Sequence, residues 1–126
     1  MKTILIVEDE NSLLEAAKEK LQEKGFNTLP CSTIDAALNI LEKGTEIDAV
    51  WLDHYLPEKT GIELVIYMKK TNLKYAKTPI FLVSNSSSAE RVFQYLELGV
   101  NKYFAKAESK IEDIAEEIEK VINDSK

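Results

Sequence analysis

Ala49-Val50-Trp51-Leu52 is a run of four apolar residues with no polar alternation, closed by Asp53 and then by Pro57 and Gly61. Such a run reads as a short strand buried on both faces, which requires a sheet with helices packed on each side. Thr3-Ile4-Leu5-Ile6-Val7 and Ile80-Phe81-Leu82-Val83 repeat the pattern. All three runs stop at polar groups: Glu8-Asp9-Glu10, Asp53 and Ser84. Open α/β sheets place their ligand sites at the carboxyl ends of the strands. An isolated Asp53 would simply start a turn. The complementary chemistry at the other strand ends is what argues for a site.

Helical segments separate these strands. After Asn11 or Ser12 as a cap, Leu13, Leu14, Ala17 and Leu21 line one face, ending at Gly25. Phe26 to Cys31 is a less apolar strand, suited to a sheet edge. Ser32-Thr33-Ile34-Asp35 opens a second helix with Ile34, Ala37, Leu38 and Leu41 inward, stopped by Gly44. Ile62, Val65, Ile66 and Met68 predict a third helix. Ser87 to Glu90 holds a capping box for a fourth, which finishes at Gly99. Lys102-Tyr103-Phe104-Ala105 is a short fifth strand ending on Lys106, and Ser109 to Glu112 is a second capping box. Ile111, Ile114, Ile118, Val121 and Ile122 line the last helix. Five strands alternating with five helices predict a doubly wound, flavodoxin-like (βα)5 fold with a parallel sheet in the order 2-1-3-4-5. In that order Glu8, Asp9 and Asp53 meet on one edge, with Ser84 and Lys106 arriving from the neighbouring strand ends.

Three clustered carboxylates repel one another and would hold a proton unless a cation joins them. Mg2+ suits such an oxygen-rich set, with Mn2+ as an alternative. Together with Lys106 it brings the group to zero net charge, so a dianionic phosphoryl group can enter. An aspartate beside the metal can then attack phosphorus, with Lys106 and a hydroxyl such as Ser84 facing the equatorial oxygens.

The chain resembles a response-regulator receiver domain, the phosphoaccepting half of two-component signalling, over essentially its whole length. The matching residues are Ile6-Val7-Glu8-Asp9-Glu10, Leu52 to Pro57 with Gly61, Val83-Ser84, and Gly99 through Tyr103 to Lys106. The resemblance implies that Asp53 is the phosphoacceptor and Asp9 a direct Mg2+ ligand, with Glu8 acting mostly through water. Tyr55 lends its backbone carbonyl to the metal, Ser84 is the switch hydroxyl, Lys106 the phosphate-pairing cation and Tyr103 the switching aromatic. It implies a domain that catalyses its own aspartyl phosphorylation and dephosphorylation, fed by a histidine kinase or phosphotransfer protein. The output is then a changed surface on helix four, strand five and helix five, for an unknown downstream protein or for onward phosphorelay.

Three positions depart from the family pattern. Asn85 stands where a small Ala is usual and narrows access for the phosphodonor. Ala107 replaces the usual Pro after Lys106, and Leu56 replaces Met with little change of volume. The peptide bond before Ala107 is expected to be trans. Tyr55 and Ser86 occupy the variable positions that tune hydrolysis in the family.

Other residues have plainer readings. Trp51 is core, and strand alternation turns His54 away from the site. Tyr95 is either packing or partner surface. Glu112, Asp113, Glu116, Glu117 and Glu119 form a solvated helix face.

At 126 residues with 44% hydrophobic and 30% charged content, the expectation is one receiver domain over 1–126 with no output domain. The lone Cys31 and the lack of a signal layout or long apolar run point to a cytoplasmic protein without membrane insertion. A net charge of −6, and Arg91 as the single arginine, argue against direct nucleic-acid binding. The rival reading is a pseudo-receiver, a protein-interaction module that is never phosphorylated. A flavin carrier is excluded because Glu8-Asp9-Glu10 would repel the phosphate, and a P-loop NTPase because no glycine-rich loop with its lysine exists.

Overall fold

Each apolar run forms a strand: β1 (Thr3–Val7), β2 (Asn27–Cys31), β3 (Ala49–Leu52), β4 (Ile80–Ser84) and β5 (Lys102–Ala105). The structure is a computed structural model, and it describes residues 1–54, 56, 59–85 and 88–124. The strands are parallel, in the order β2-β1-β3-β4-β5, and the helices are α1 (Asn11–Glu23), α2 (Ile34–Glu42), α3 (Gly61–Ile66), α4 (Ala89–Leu98) and α5 (Ile111–Asp124). This is the doubly wound flavodoxin-like fold predicted above, with β2 and β5 at the edges.

Strand alternation divides the interior into two cores. Leu5, Val7, Val50, Leu52, Ile80 and Leu82 face α2, α3 and α4, where Leu41, Leu64, Met68 and Tyr95 meet them. Ile4, Ile6, Ala49, Trp51, Phe81 and Val83 face α1 and α5, against Leu21, Ile114 and Ile118. Each fully buried large side chain contributes roughly 1.5–3 kcal/mol, and the three central strands share that burial with the helices that cover them. The same alternation determines which way the residues after β3 point.

Some local expectations shift. Helix α1 is preceded by Glu10, with no side-chain cap, rather than being capped by Asn11 or Ser12. Thr33 caps α2 by accepting from the Ala36 N–H. In α3 the buried face is Gly61, Leu64 and Val65, continuing to Met68, whereas Ile66 is exposed. Gly61 sets that face, because a β-carbon there would stand 2.9 Å from the Asp53 carbonyl oxygen. A π-helical turn, Tyr67–Thr71, follows. Ser88 caps α4, its hydroxyl accepting from the Arg91 N–H; Ser87, the first residue of the expected capping box, lies outside the described residues. Gly99 ends α4 in the left-handed region at φ 111°, where a side chain would be strained. In α5, Ile114, Ala115, Ile118 and Ile122 are buried, and the first turn opens with Ile114 N–H donating to the Lys110 carbonyl. No peptide bond among the described residues is cis, so Lys106-Ala107 is trans, as expected.

Candidate functional site

Glu8 and Asp53 are held side by side by the ladder that builds the sheet. The Asp53 N–H donates to the Val7 carbonyl at 3.0 Å, and the Glu8 N–H to the Cys31 carbonyl at 2.9 Å. β3 therefore extends its pairing with β1 to the residue that carries the carboxylate. From the next strands, Lys106 N–H donates to the Ser84 carbonyl at 3.2 Å. The Lys106 ammonium reaches back over the edge to Asp53 Oδ2 at 3.0 Å, Glu8 Oε1 at 3.0 Å and Glu8 Oε2 at 3.2 Å. Asp53, Glu8 and Ser84 are buried, while Asp9 is exposed at the rim. Tyr103 is half-buried on β5, and its hydroxyl donates to the backbone oxygen of Ser84 at 3.2 Å. Of the residues singled out from sequence, Glu8, Asp9, Asp53, Ser84, Tyr103 and Lys106 thus gather at one end of the sheet. Tyr55 and Ser86 lie outside the described residues.

Burial drives the electrostatics. Desolvation lifts the Glu8 carboxyl from 4.5 to about 7, with the nearby Asp53 charge adding to it; the Glu10 N–H and Lys106 offset only part. For Lys106, burial works against the ammonium. Hydrogen bonds and charges from Asp53 and Glu8 overcome that, so its pKa stands above the ordinary value. Lys106 is therefore an ammonium, and in the absence of a metal Glu8 also holds its proton up to a pH of about 7.

One oxygen of each of Glu8, Asp9 and Asp53 lies within 4.8 Å of the other two, close enough for all three to share a cation. Glu8 Oε1 is buried and makes no hydrogen bond despite the ammonium 3.0 Å away. A buried acceptor left over in this way fits a divalent, oxygen-seeking ion such as Mg2+. The arrangement combines a buried carboxylate, a fixed ammonium and three carboxylate oxygens close enough to share a cation.

A family model described as "Response regulator receiver domain" matches residues 4–119. The chain belongs to the response-regulator receiver family. Among curated proteins, this receiver is 35% identical over 107 residues to the transcriptional regulatory protein CpxR of Escherichia coli, covering 84% of the chain and 43% of that protein. It is 30% identical over 112 residues to the phosphate regulon transcriptional regulatory protein PhoB of Escherichia coli, covering 89% and 48%. The receiver thus spans less than half the length of these relatives. Among solved structures it is similar to the non-phosphorylated HemR receiver domain of Leptospira biflexa, with TM-score 0.85, 27% identity and coverage of 97% and 94%. A CheY-like receiver from Methanospirillum hungatei shares the fold, with TM-score 0.87, 24% identity and coverage of 98% and 95%. Among the described residues no helix is long and apolar enough to cross a membrane.

Two of the receiver's departures from its family turn out to meet. Asn85 Oδ1 accepts from the Ala107 N–H at 3.2 Å, a donor that proline would lack. Asn85 is exposed and lines a cleft of about 300 Å3 beside Lys106, together with Glu10, Leu13 and Ser109. Tyr95 is fully buried, which assigns it to packing rather than to partner surface. Glu117 and Glu119, on the acidic face of α5, pair with Lys102 and Lys24. His54 points away from the cluster, as alternation requires, but it is buried and engages both Tyr95 and Arg91. Burial and the Arg91 charge lower its pKa, against the pull of Asp53, so the ring is neutral. Sequence reading passed over this contact. Its only trace there was one histidine and one arginine, 37 positions apart.

Proposed function

We propose that Asp53 accepts a phosphoryl group from a phosphohistidine on a histidine kinase or phosphotransfer protein. The observation that carries this is the Lys106 ammonium, held 3.0 Å from Asp53 Oδ2 and anchored on its other side by buried Glu8. In the step, an Asp53 carboxylate oxygen forms a bond to phosphorus as the donor's P–N bond breaks and its electron pair leaves with the imidazole. Lys106 faces the negative charge gained by Asp53, and Ser84, at the end of β4, donates its hydroxyl to a phosphoryl oxygen in this reading. Glu8, Asp9 and Asp53, with the Tyr55 carbonyl that the family pattern adds, would hold Mg2+, which would supply counter-charge to the phosphoryl oxygens. The chain acts on itself, not on an external substrate. The cleft beside Lys106 and Asn85 admits the donor.

The reading extends to output. Ser84 and Tyr103 are linked by a hydrogen bond, so a change at Ser84 reaches β5 directly. Phe93 and Leu96 of α4 are 62% and 44% exposed, which gives the α4, β5 and α5 face apolar surface for a partner protein.

Labelling tests the central step. With Mg2+ and acetyl phosphate, which replaces the kinase by a small donor, the chain gains one hydroxylamine-labile phosphoryl group. Asp53→Asn abolishes it while the fold is kept, and Lys106→Ala reduces it. If acetyl phosphate fails but a phosphohistidine donor succeeds, access past Asn85 is the obstacle. Failure with both, despite Mg2+ binding, replaces this reading with the interaction-module one.

A further inference from the structure

Asp53 and His54 are consecutive, yet they belong to opposite faces of the sheet. Asp53 continues the Ala49, Trp51 side, and His54 the Val50, Leu52 side, where α4 packs. His54 is 2% exposed. Its Nδ1 meets the Tyr95 hydroxyl and its Nε2 meets the Arg91 guanidinium, both from α4. The His54 and Tyr95 rings stand edge to face, 86° apart with centroids separated by 5.5 Å. A guanidinium only donates, so Nε2 is the bare nitrogen and Nδ1–H donates to Tyr95. The Tyr95 hydroxyl also lies 3.0 Å from where a Gly61 β-carbon would stand, and Gly61 N–H donates to the His54 carbonyl at 3.4 Å. The chain's one histidine and one arginine therefore tie the end of β3 to α4, with the start of α3 packed against them. Buried polar groups in such a set are costly unless all find partners, so the set favours one placement of α4 over its neighbours.

We propose that His54, Tyr95 and Arg91 form a clasp that couples Asp53 to α4, a second route to the partner face beside the one through Ser84 and Tyr103. The proposal rests on the phosphoacceptor reading of Asp53. His54 is a positioning residue: it touches no phosphoryl group and acts through α4. An acyl phosphate carries more negative charge than the carboxylate it replaces. That charge appears one residue from the ring that holds Arg91, and it favours the arrangement in which the guanidinium stays on His54. Phosphorylation therefore holds the first turns of α4 more firmly.

Amide hydrogen exchange across residues 89–98, read by mass spectrometry with and without Mg2+ and acetyl phosphate, tests the clasp. In the unsubstituted chain, phosphorylation slows exchange there within the ~5–150-fold range usual for coupled sites. Tyr95→Phe and Arg91→Gln label on Asp53 at the unsubstituted rate but lose most of that slowing, while Arg91→Lys, which keeps the positive charge as well as a donor for Nε2, keeps part of it. A merely structural role would speed exchange in both forms alike and leave their ratio unchanged, which overturns the proposal. If Tyr95→Phe fails to fold, Arg91→Gln at its half-buried position decides the question alone. Normal labelling with an undiminished ratio in the variants removes the clasp and spares the phosphoacceptor reading. No labelling of the unsubstituted chain by any donor removes both.

Discussion

Glu8 sits fully buried with an incomplete set of partners: Oε2 receives the Glu10 N–H and Lys106, whereas Oε1 makes no hydrogen bond. Because its pKa is raised from 4.5 to about 7, the folded chain binds more protons than the unfolded chain between those values. The contribution of Glu8 to metal-free stability is therefore full below pH 4.5 and is lost as pH rises through 7, by on the order of 1–3 kcal/mol. Lys106, whose pKa is raised, loses its contribution only above its ordinary 10.5, outside that window. Urea unfolding in EDTA at pH 5 and pH 8 checks this. The unsubstituted chain is weaker at pH 8 through Glu8, and Glu8→Gln removes that part of the slope while binding Mg2+ less tightly. A slope unchanged by Glu8→Gln would show that the charge is not penalised there.

At the scale of elements, Gly61, Asn85 and Ala107 make close contacts near the ends of β3, β4 and β5. Gly61 lets α3 start against the Asp53 carbonyl. Gly61→Ala forces the two apart and costs about 1–3 kcal/mol, as overpacking does. It also slows acetyl phosphate labelling, because the loop that carries the nucleophile shifts. Thermal unfolding and the labelling rate measure the two effects on one sample. The hydrogen bond between Asn85 and Ala107 joins the β4 and β5 loops across the mouth of the cleft. At this exposed position Asn85→Ala costs only about 0.5 kcal/mol, but labelling by acetyl phosphate becomes faster as the entrance widens. An unchanged rate would place the control of access elsewhere.

For the whole molecule, the proposed Mg2+ site of Glu8, Asp9 and Asp53 lies where the central strands end. Trp51, the only tryptophan, is fully buried in the α1 and α5 core, two residues before Asp53. Mg2+ binding should therefore change its fluorescence, with affinity rising from pH 5 to 8 as Glu8 gives up its proton. At a hundredfold excess over Kd, the metal adds about 2.7 kcal/mol of stability. Asp9→Ala weakens both responses, and fluorescence indifferent to millimolar Mg2+ would remove the metal from the site.

The sequence by itself determined the sheet and the cluster, since both depend on local pattern. Short continuous apolar runs bounded by turn residues read as strands buried on two faces, and a doubly wound order brings their ends together. Hence the strand order and the convergence of Glu8, Asp9, Asp53, Ser84 and Lys106 were legible before any coordinates. Helix starts were less so: α1 begins after Glu10, one residue before the Asn11 or Ser12 cap that the pattern favours, because packing against the sheet outweighs a cap of about 1 kcal/mol. Only the tertiary structure decided the pairings between distant polar groups. Asn85 with Ala107, and His54 with Tyr95 and Arg91, lie 22, 41 and 37 positions apart. A hydrogen bond between loops or across a core leaves no periodic trace in sequence; it depends on where two independently packed elements come to rest.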